Sequence, residues 1–203
     1  MMQCRLKKIL GHFLAIDSYL YEEGNPVANP YAYYDNDRSI GGAYLLEAGF
    51  DLIFKLTNKK AKGWYCRYAP SENTRNLLVE NGNFLYDSDS YNDELPYWVK
   101  VKKKKHLIIP YSLDTNDVHF KLPSGFSGAT QFYEYVCDSI NYLYKEGIHQ
   151  PKLLNIGLHP RLIGRPGRIV AIEKIIQHIN SLKKIWVCRR EDIANHWINN
   201  FYE

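Results

Sequence analysis

The stretch "HLIIPYSLDTND", His106 to Asp117, decides how the chain is read. Its apolar run has the length of a buried strand, and it feeds a polar loop of Asp114, Thr115, Asn116 and Asp117. The same plan recurs on both sides. "SENTRNLLVENG" (Ser71–Gly82) has a capping serine, a leucine pair and a closing glycine, which predict a short helix. "NFLYDSDSY" (Asn83–Tyr91) predicts a short strand ending in acids. "SGATQFYEYVCDSINYLYKEG" (Ser127–Gly147) sets Phe132, Val136, Ile140 and Leu143 on one helical face, with Gly147 as its stop. "PKLLNIGLH" (Pro151–His159) predicts a further strand. Ile169, Ile172, Ile175, Ile176 and Ile179 mark another amphipathic helix. "KKIWVCRRED" and "EDIANHWINNF" predict a last strand and a last helix.

Strand–helix alternation of this kind implies an α/β protein with a parallel sheet and helices outside it. Ligands of such sheets sit beyond the carboxyl ends of the strands. The polar clusters fall at those ends: Asp87 and Asp89, Asp114 to Asp117, and His159 to Arg161.

Composition narrows the classes. A chain of 203 residues is one domain, or one and a fraction, and can bury a real core. A net charge of +4 is too weak to argue for nucleic acid, and no segment is apolar over a membrane-spanning length. Cys4, Cys66, Cys137 and Cys188 form no Cys-x-x-Cys pair, and no secretory leader is expected. Reduced thiols in a cytoplasmic protein are the expectation. "VKVKKKK" (Val99–Lys105) reads as a solvated hairpin or loop in preference to a phosphate-binding patch. Residues 1–61 differ from the rest: "NPVANPYAYYDNDRSIGG" (Asn25–Gly42) is turn-rich and aperiodic, and "AYLLEAGFDLIFKLT" (Ala43–Thr57) suits a helix.

Candidate chemistry centres on "NIGLHPRLIGRPGR" (Asn155–Arg168). Imidazole titrates near neutrality, so His159 at a strand end could protonate a departing nitrogen; the plainer reading is a hydrogen bond capping the strand. Arg161, Arg165 and Arg168 could hold a ureido or carboxylate group, or serve a helix-capping loop. Asp87, Asp89, Asn92 and Asp93 could bind substrate amides or form an Asx-rich turn. His106, His119, His149, His178 and His196 are scattered without a pair at helical ligand spacing, so no metal is expected.

Four segments, "KGWYCRYAPSENTRNLLVENGNFLYDSDSYNDELPYW", "IIPYSLDTND", "GLHPRLIGRPGR" and "WVCRREDIANHW", together resemble the allantoinase-type, purine-utilisation branch of the NodB-homology (chitooligosaccharide) deacetylase superfamily. The resemblance covers Lys62 to about Trp197. It implies a distorted (β/α) barrel, incomplete at the N-terminus, with 1–61 a divergent segment and 62–203 the C-terminal part. It implies hydrolysis of an amide C–N bond, as in opening the allantoin ring to allantoate. It makes His159 the general acid and Asp114 its supporting carboxylate, and Arg67 the substrate-side arginine. Asp87, Asp89, Asn92, Asn116 and Arg161 complete the expected substrate contacts. The superfamily's metal motifs, Asp-Asp and His-x-x-x-His, do not occur in this sequence, and the branch is described as metal-free; no cofactor is expected. Without those motifs the catalytic base is unassigned, with His12, Asp17 and Glu22 as candidates. The rival expectation is an inactive, truncated protein, or one that binds a ureide or carbohydrate without turning it over. The expected partner is a small ureide or amide, with no nucleic acid and no membrane; members of the group are often oligomeric, so a homo-oligomer is also an expectation.

Overall fold

The computed structural model describes residues 50–66 and 70–202. These form two compact units. The first comprises the described residues up to Asp89, then Tyr97–Ile109 and the segment from Arg189. The second comprises Ser90–Pro96 and Pro110–Cys188.

In the first unit a helix, α1, covers residues 50–57. It is followed by β1 (Gly63–Trp64), α2 (Thr74–Asn81), β2 (Tyr86–Asp87), β3 (Tyr97–Val101) and β4 (Lys104–Ile108). The sheet order is β1-β2-β4-β3. The first three strands are parallel, pairing Trp64 with Asp87 and Asp87 with Ile108. The fourth, β3, runs antiparallel to β4. The lysine run is the solvated hairpin that its composition predicts: Lys102, in the left-handed region, turns β3 into β4, and the lysines from 102 to 105 are exposed. Leu107, Ile108 and Ile109 are fully buried, as a continuous apolar run requires when both faces of a strand are covered. Beside them Phe50, Leu78 and Phe84 pack with Trp64 and Leu77, ring edges meeting ring faces.

The helix α2 ends on Gly82, at φ 73°, whose N–H returns to the Leu78 carbonyl. Its start lies two residues later than the capping serine predicts. Asn73 is the N-cap, and Ser71 instead donates its backbone N–H to the Thr74 hydroxyl, a local turn ahead of the helix. The last helix, α6 (Arg190–Asn200), begins with Arg189 and Asp192 bonded reciprocally.

The second unit holds a 3-10 turn (Asp117–Lys121) and the helices α3 (Ala129–Glu146), α4 (Pro160–Ile163) and α5 (Pro166–Ser181). Most of the apolar faces read from the sequence pack: Phe132, Val136 and Ile140 of α3, and Ile172 and Ile175 of α5, are buried, Leu143, Ile169 and Ile179 are half-buried, and Ile176 is exposed. Phe120 and Phe126 close over Phe132, and the Arg168 guanidinium lies 4.5 Å from the Phe120 ring centre.

Two predicted strands join no ladder among the described residues. "PKLLNIGLH" is extended and, among the described residues, pairs at Gly157 in a parallel bridge to Asn116. Its partner segment coils into the 3-10 turn at Asp117, which ends the ladder after one step. "KKIWVCRRED" joins no ladder among the described residues; Lys184, at φ 64°, breaks the extended run near its start. No helix among the described residues is long and apolar enough to cross a membrane.

Candidate functional site

In the second unit, the segments 111–119 and 155–159 are bound to each other. Gly157 donates its N–H to the Thr115 carbonyl at 3.1 Å, and Asp117 donates to the Gly157 carbonyl at 2.9 Å. The Thr115 hydroxyl donates to the Asn155 carbonyl. This places His159, two residues beyond the bridge, against Asp117. One oxygen of the Asp117 carboxylate accepts the His159 backbone N–H at 2.8 Å, and the other lies 2.6 Å from His159 Nδ1.

The supporting carboxylate of His159 is therefore Asp117 and not Asp114, which corrects the sequence expectation. Asp117 is completely buried, whereas the His159 ring is 23% exposed. The inner group is thus a fixed acceptor and the outer one can meet a ligand. With Nδ1 held as the donor to Asp117, Nε2 is left as the ring atom for proton transfer. Asp114 is exposed and accepts a 2.6 Å hydrogen bond from the Tyr135 hydroxyl, which raises the phenol's pKa. His159 is also the N-cap of α4, with Pro160 opening the helix and Arg161 exposed in its single turn.

Other expected residues divide. Asn116 is 2% exposed, and both ends of its amide are bound: the oxygen accepts the Val118 N–H and the nitrogen donates to the Tyr111 hydroxyl. Its burial, with one donor and one acceptor already engaged, tells against its assignment as a substrate contact. Asn92 accepts from the Ser90 hydroxyl and, with Asp114, lines an open groove of about 920 Å³ that also takes in Tyr135, Asp138 and Tyr142. Arg168 is committed to the Leu162 carbonyl and to Phe120. Arg67 lies outside the described residues, as do His12, Asp17 and Glu22.

Asp87 and Asp89 belong to the first unit, at the carboxyl end of β2. Asp87 is buried and accepts from Arg75 Nε at 2.8 Å; its same oxygen lies 2.9 Å from His106 Nε2. Burial pushes its pKa up, but the bonds from His106 and Arg75 outweigh that and hold it below the ordinary value. Asp89 differs. Its Oδ1 accepts the Cys66 N–H at 2.6 Å, while its buried Oδ2 has no partner among the described residues. Burial, with the Asp87 charge adding to it, pushes Asp89 up to about 6. Burial also pushes the Cys66 thiol up to about 12, again with Asp89 adding to it.

Two buried side-chain pairings escaped the sequence reading, Asp117 with His159 and His106 with Asp87. Choosing Asp117 over Asp114 requires knowing that Asn116 pairs with Gly157, which no local pattern encodes. His106, read as a scattered histidine, is buried because it heads the apolar run of β4. Among the described residues no three His, Cys, Asp or Glu side chains converge as metal ligands.

No family model matches the sequence. A Schizosaccharomyces pombe protein, named "Putative polysaccharide deacetylase", is 40% identical; the match covers 70% of this chain and 48% of that protein. The crystal structure of Puue allantoinase superposes with a TM-score of 0.76 at 43% identity, over 79% of this chain and 54% of the other. A "probable Polysaccharide deacetylase" from Pseudomonas aeruginosa PAO1 gives 0.76 at 45%, over 83% and 56%. The chain thus spans about half the length of these relatives. Within that span it has their mixed α/β fold and is a homologue of the NodB-type deacetylases and allantoinases.

Proposed function

We propose that this chain acts as a hydrolase of amide C–N bonds, with opening of the allantoin ring as its reaction. The observation that carries the reading is the His159–Asp117 pair, a partly exposed imidazole braced by a fully buried carboxylate. Asp117 holds the ring in one tautomer and offsets the charge of the imidazolium, so the Nε2 proton is available to the departing ring nitrogen. Arg161, exposed two residues further on in α4, supplies a cation for the ureido group or the developing oxyanion. The mixed α/β fold and the likeness to the allantoinase support placing the described elements in a distorted (β/α) barrel; a cytoplasmic homo-oligomer completes the proposal.

The second reading is a protein that binds a ureide or carbohydrate without turnover. It is favoured by the absence from the sequence of any Asp-Asp or His-x-x-x-His motif. Carbon NMR of allantoin with the metal-stripped protein separates the two. Ring opening that disappears in His159→Ala supports the hydrolase. Persistent allantoin in the presence of a folded protein rejects it.

A further inference from the structure

We infer that Tyr111 is a positioning residue for His159, acting through Asn116 and Asp117; its catalytic meaning rests on the hydrolase reading above. Both groups of His159 that touch Asp117 are donors, so the aim of the imidazole follows from where Asp117 stands. Asp117 is the first residue of the 3-10 turn, and Asn116 is its N-cap. The Val118 N–H donates to the Asn116 side chain at 2.8 Å. A backbone N–H only donates, so the amide oxygen faces Val118 and the amide nitrogen faces Tyr111, donating to its hydroxyl at 2.8 Å.

The backbone that carries His159 is cut to fit this pair. A Cβ at Gly157 would lie 2.3 Å from Asn116 Nδ2 and 2.5 Å from the Tyr111 oxygen. Only a glycine lets the tyrosine–asparagine pair rest against the extended backbone two residues before the histidine. The Tyr111 hydroxyl therefore belongs to a line of contacts: phenol to amide, amide to turn, turn to carboxylate, carboxylate to imidazole. Its ring has a separate task, meeting Tyr91 edge-on with centres 6.2 Å apart. Phenylalanine would keep that ring contact and lose only the hydroxyl.

The test is proton NMR of the full chain labelled with nitrogen-15 histidine, following the Nδ1–H of His159. The wild-type signal is expected far downfield, and it should vanish in His159→Gln and in Asp117→Asn. In Tyr111→Phe it should broaden through faster exchange with water. Gly157→Ala should do the same by displacing the pair, whereas Tyr142→Phe, exposed on α3, should leave it unchanged. Where allantoin turnover is measurable, Tyr111→Phe should lower kcat about tenfold with KM within about twofold, the pattern of lost alignment. Asn116→Ser provides a second route should Tyr111→Phe not fold. Serine can still cap Val118 but cannot reach Tyr111, so it too should broaden the signal. A folded Tyr111→Phe or Asn116→Ser protein with an unchanged signal overturns the inference. The signal is read without substrate. Its loss in a protein that opens no allantoin would keep the positioning role and reject the hydrolase.

Discussion

Replacing Asp89 by asparagine should change how stability depends on pH, by an amount that follows from its surroundings. Asp89 is 8% exposed, beside the ionised Asp87, and is held at about 6 against an ordinary 3.8. A carboxyl whose folded value lies above its unfolded one binds its proton more tightly in the folded chain. Ionising it therefore opposes folding: the favourable contribution is whole below about 3.8 and is lost as pH rises through 6. The interval from 3.8 to about 6, at roughly 1.4 kcal/mol per pH unit, makes the loss about 3 kcal/mol. Asparagine keeps an acceptor for the Cys66 N–H but cannot ionise. Nearby titrating groups are common to both proteins: Asp87, held low by its bonds from His106 and Arg75, and Cys66, which stays protonated well above neutrality. Urea unfolding by tryptophan fluorescence, in steps from pH 4 to pH 7.5, gives the difference between variant and wild type. That difference should move in favour of the variant by about 2.5 kcal/mol across the range, the remainder of the loss falling below pH 4. A flat difference would refute the burial argument for Asp89.

Asp117→Asn should fold and lower allantoin turnover by about a hundredfold or more, because an amide can present its N–H₂ to the imidazole and favour the wrong tautomer; activity within a factor of three of wild type would deny Asp117 its role. Leu107→Ala, at a fully buried position in β4, should lower the unfolding free energy by about 3 kcal/mol in the same urea assay. A loss below about 1 kcal/mol would mean that the sheet centre is not close-packed. Cys66, with its thiol raised to about 12, should resist a maleimide at neutral pH until urea unfolds the chain; mass spectrometry of the 64–66 peptide reads this, and rapid labelling of the native protein would contradict it.

Apolar spacing was sufficient wherever an element buries a face of its own. Phe132, Val136 and Ile140 disclose α3, Ile172 and Ile175 disclose α5, and Leu107 to Ile109 disclose the central strand. His159 was legible because it ends an apolar run beside cations. What stayed hidden depends on partners distant in sequence. "KKIWVC" and "PKLLNIG" have strand composition, yet a strand is a pairing and not a residue property. The carboxylate of His159 could not be chosen between Asp114 and Asp117 without the register of Asn116 on Gly157. His106 was one of five scattered histidines, and its burial against Asp87 shows only in the packing of β4.

The β3–β4 hairpin also bears on how the first unit assembles. Its two strands are neighbours in sequence, so their pairing closes a loop of only two residues, Lys102 and Lys103. The β2–β4 pairing must bring Tyr86 and Asp87 to residues about twenty positions away, in a parallel arrangement that no tight turn can template. Short loops close sooner than long ones, since closure entropy grows with length. The hairpin is thus the natural nucleus, and β4 reaches β2 already carrying a finished ladder on its far side. The lysine tip acts as a gatekeeper during that interval, because its crowded positive charge keeps the edge of one nascent hairpin from pairing with another.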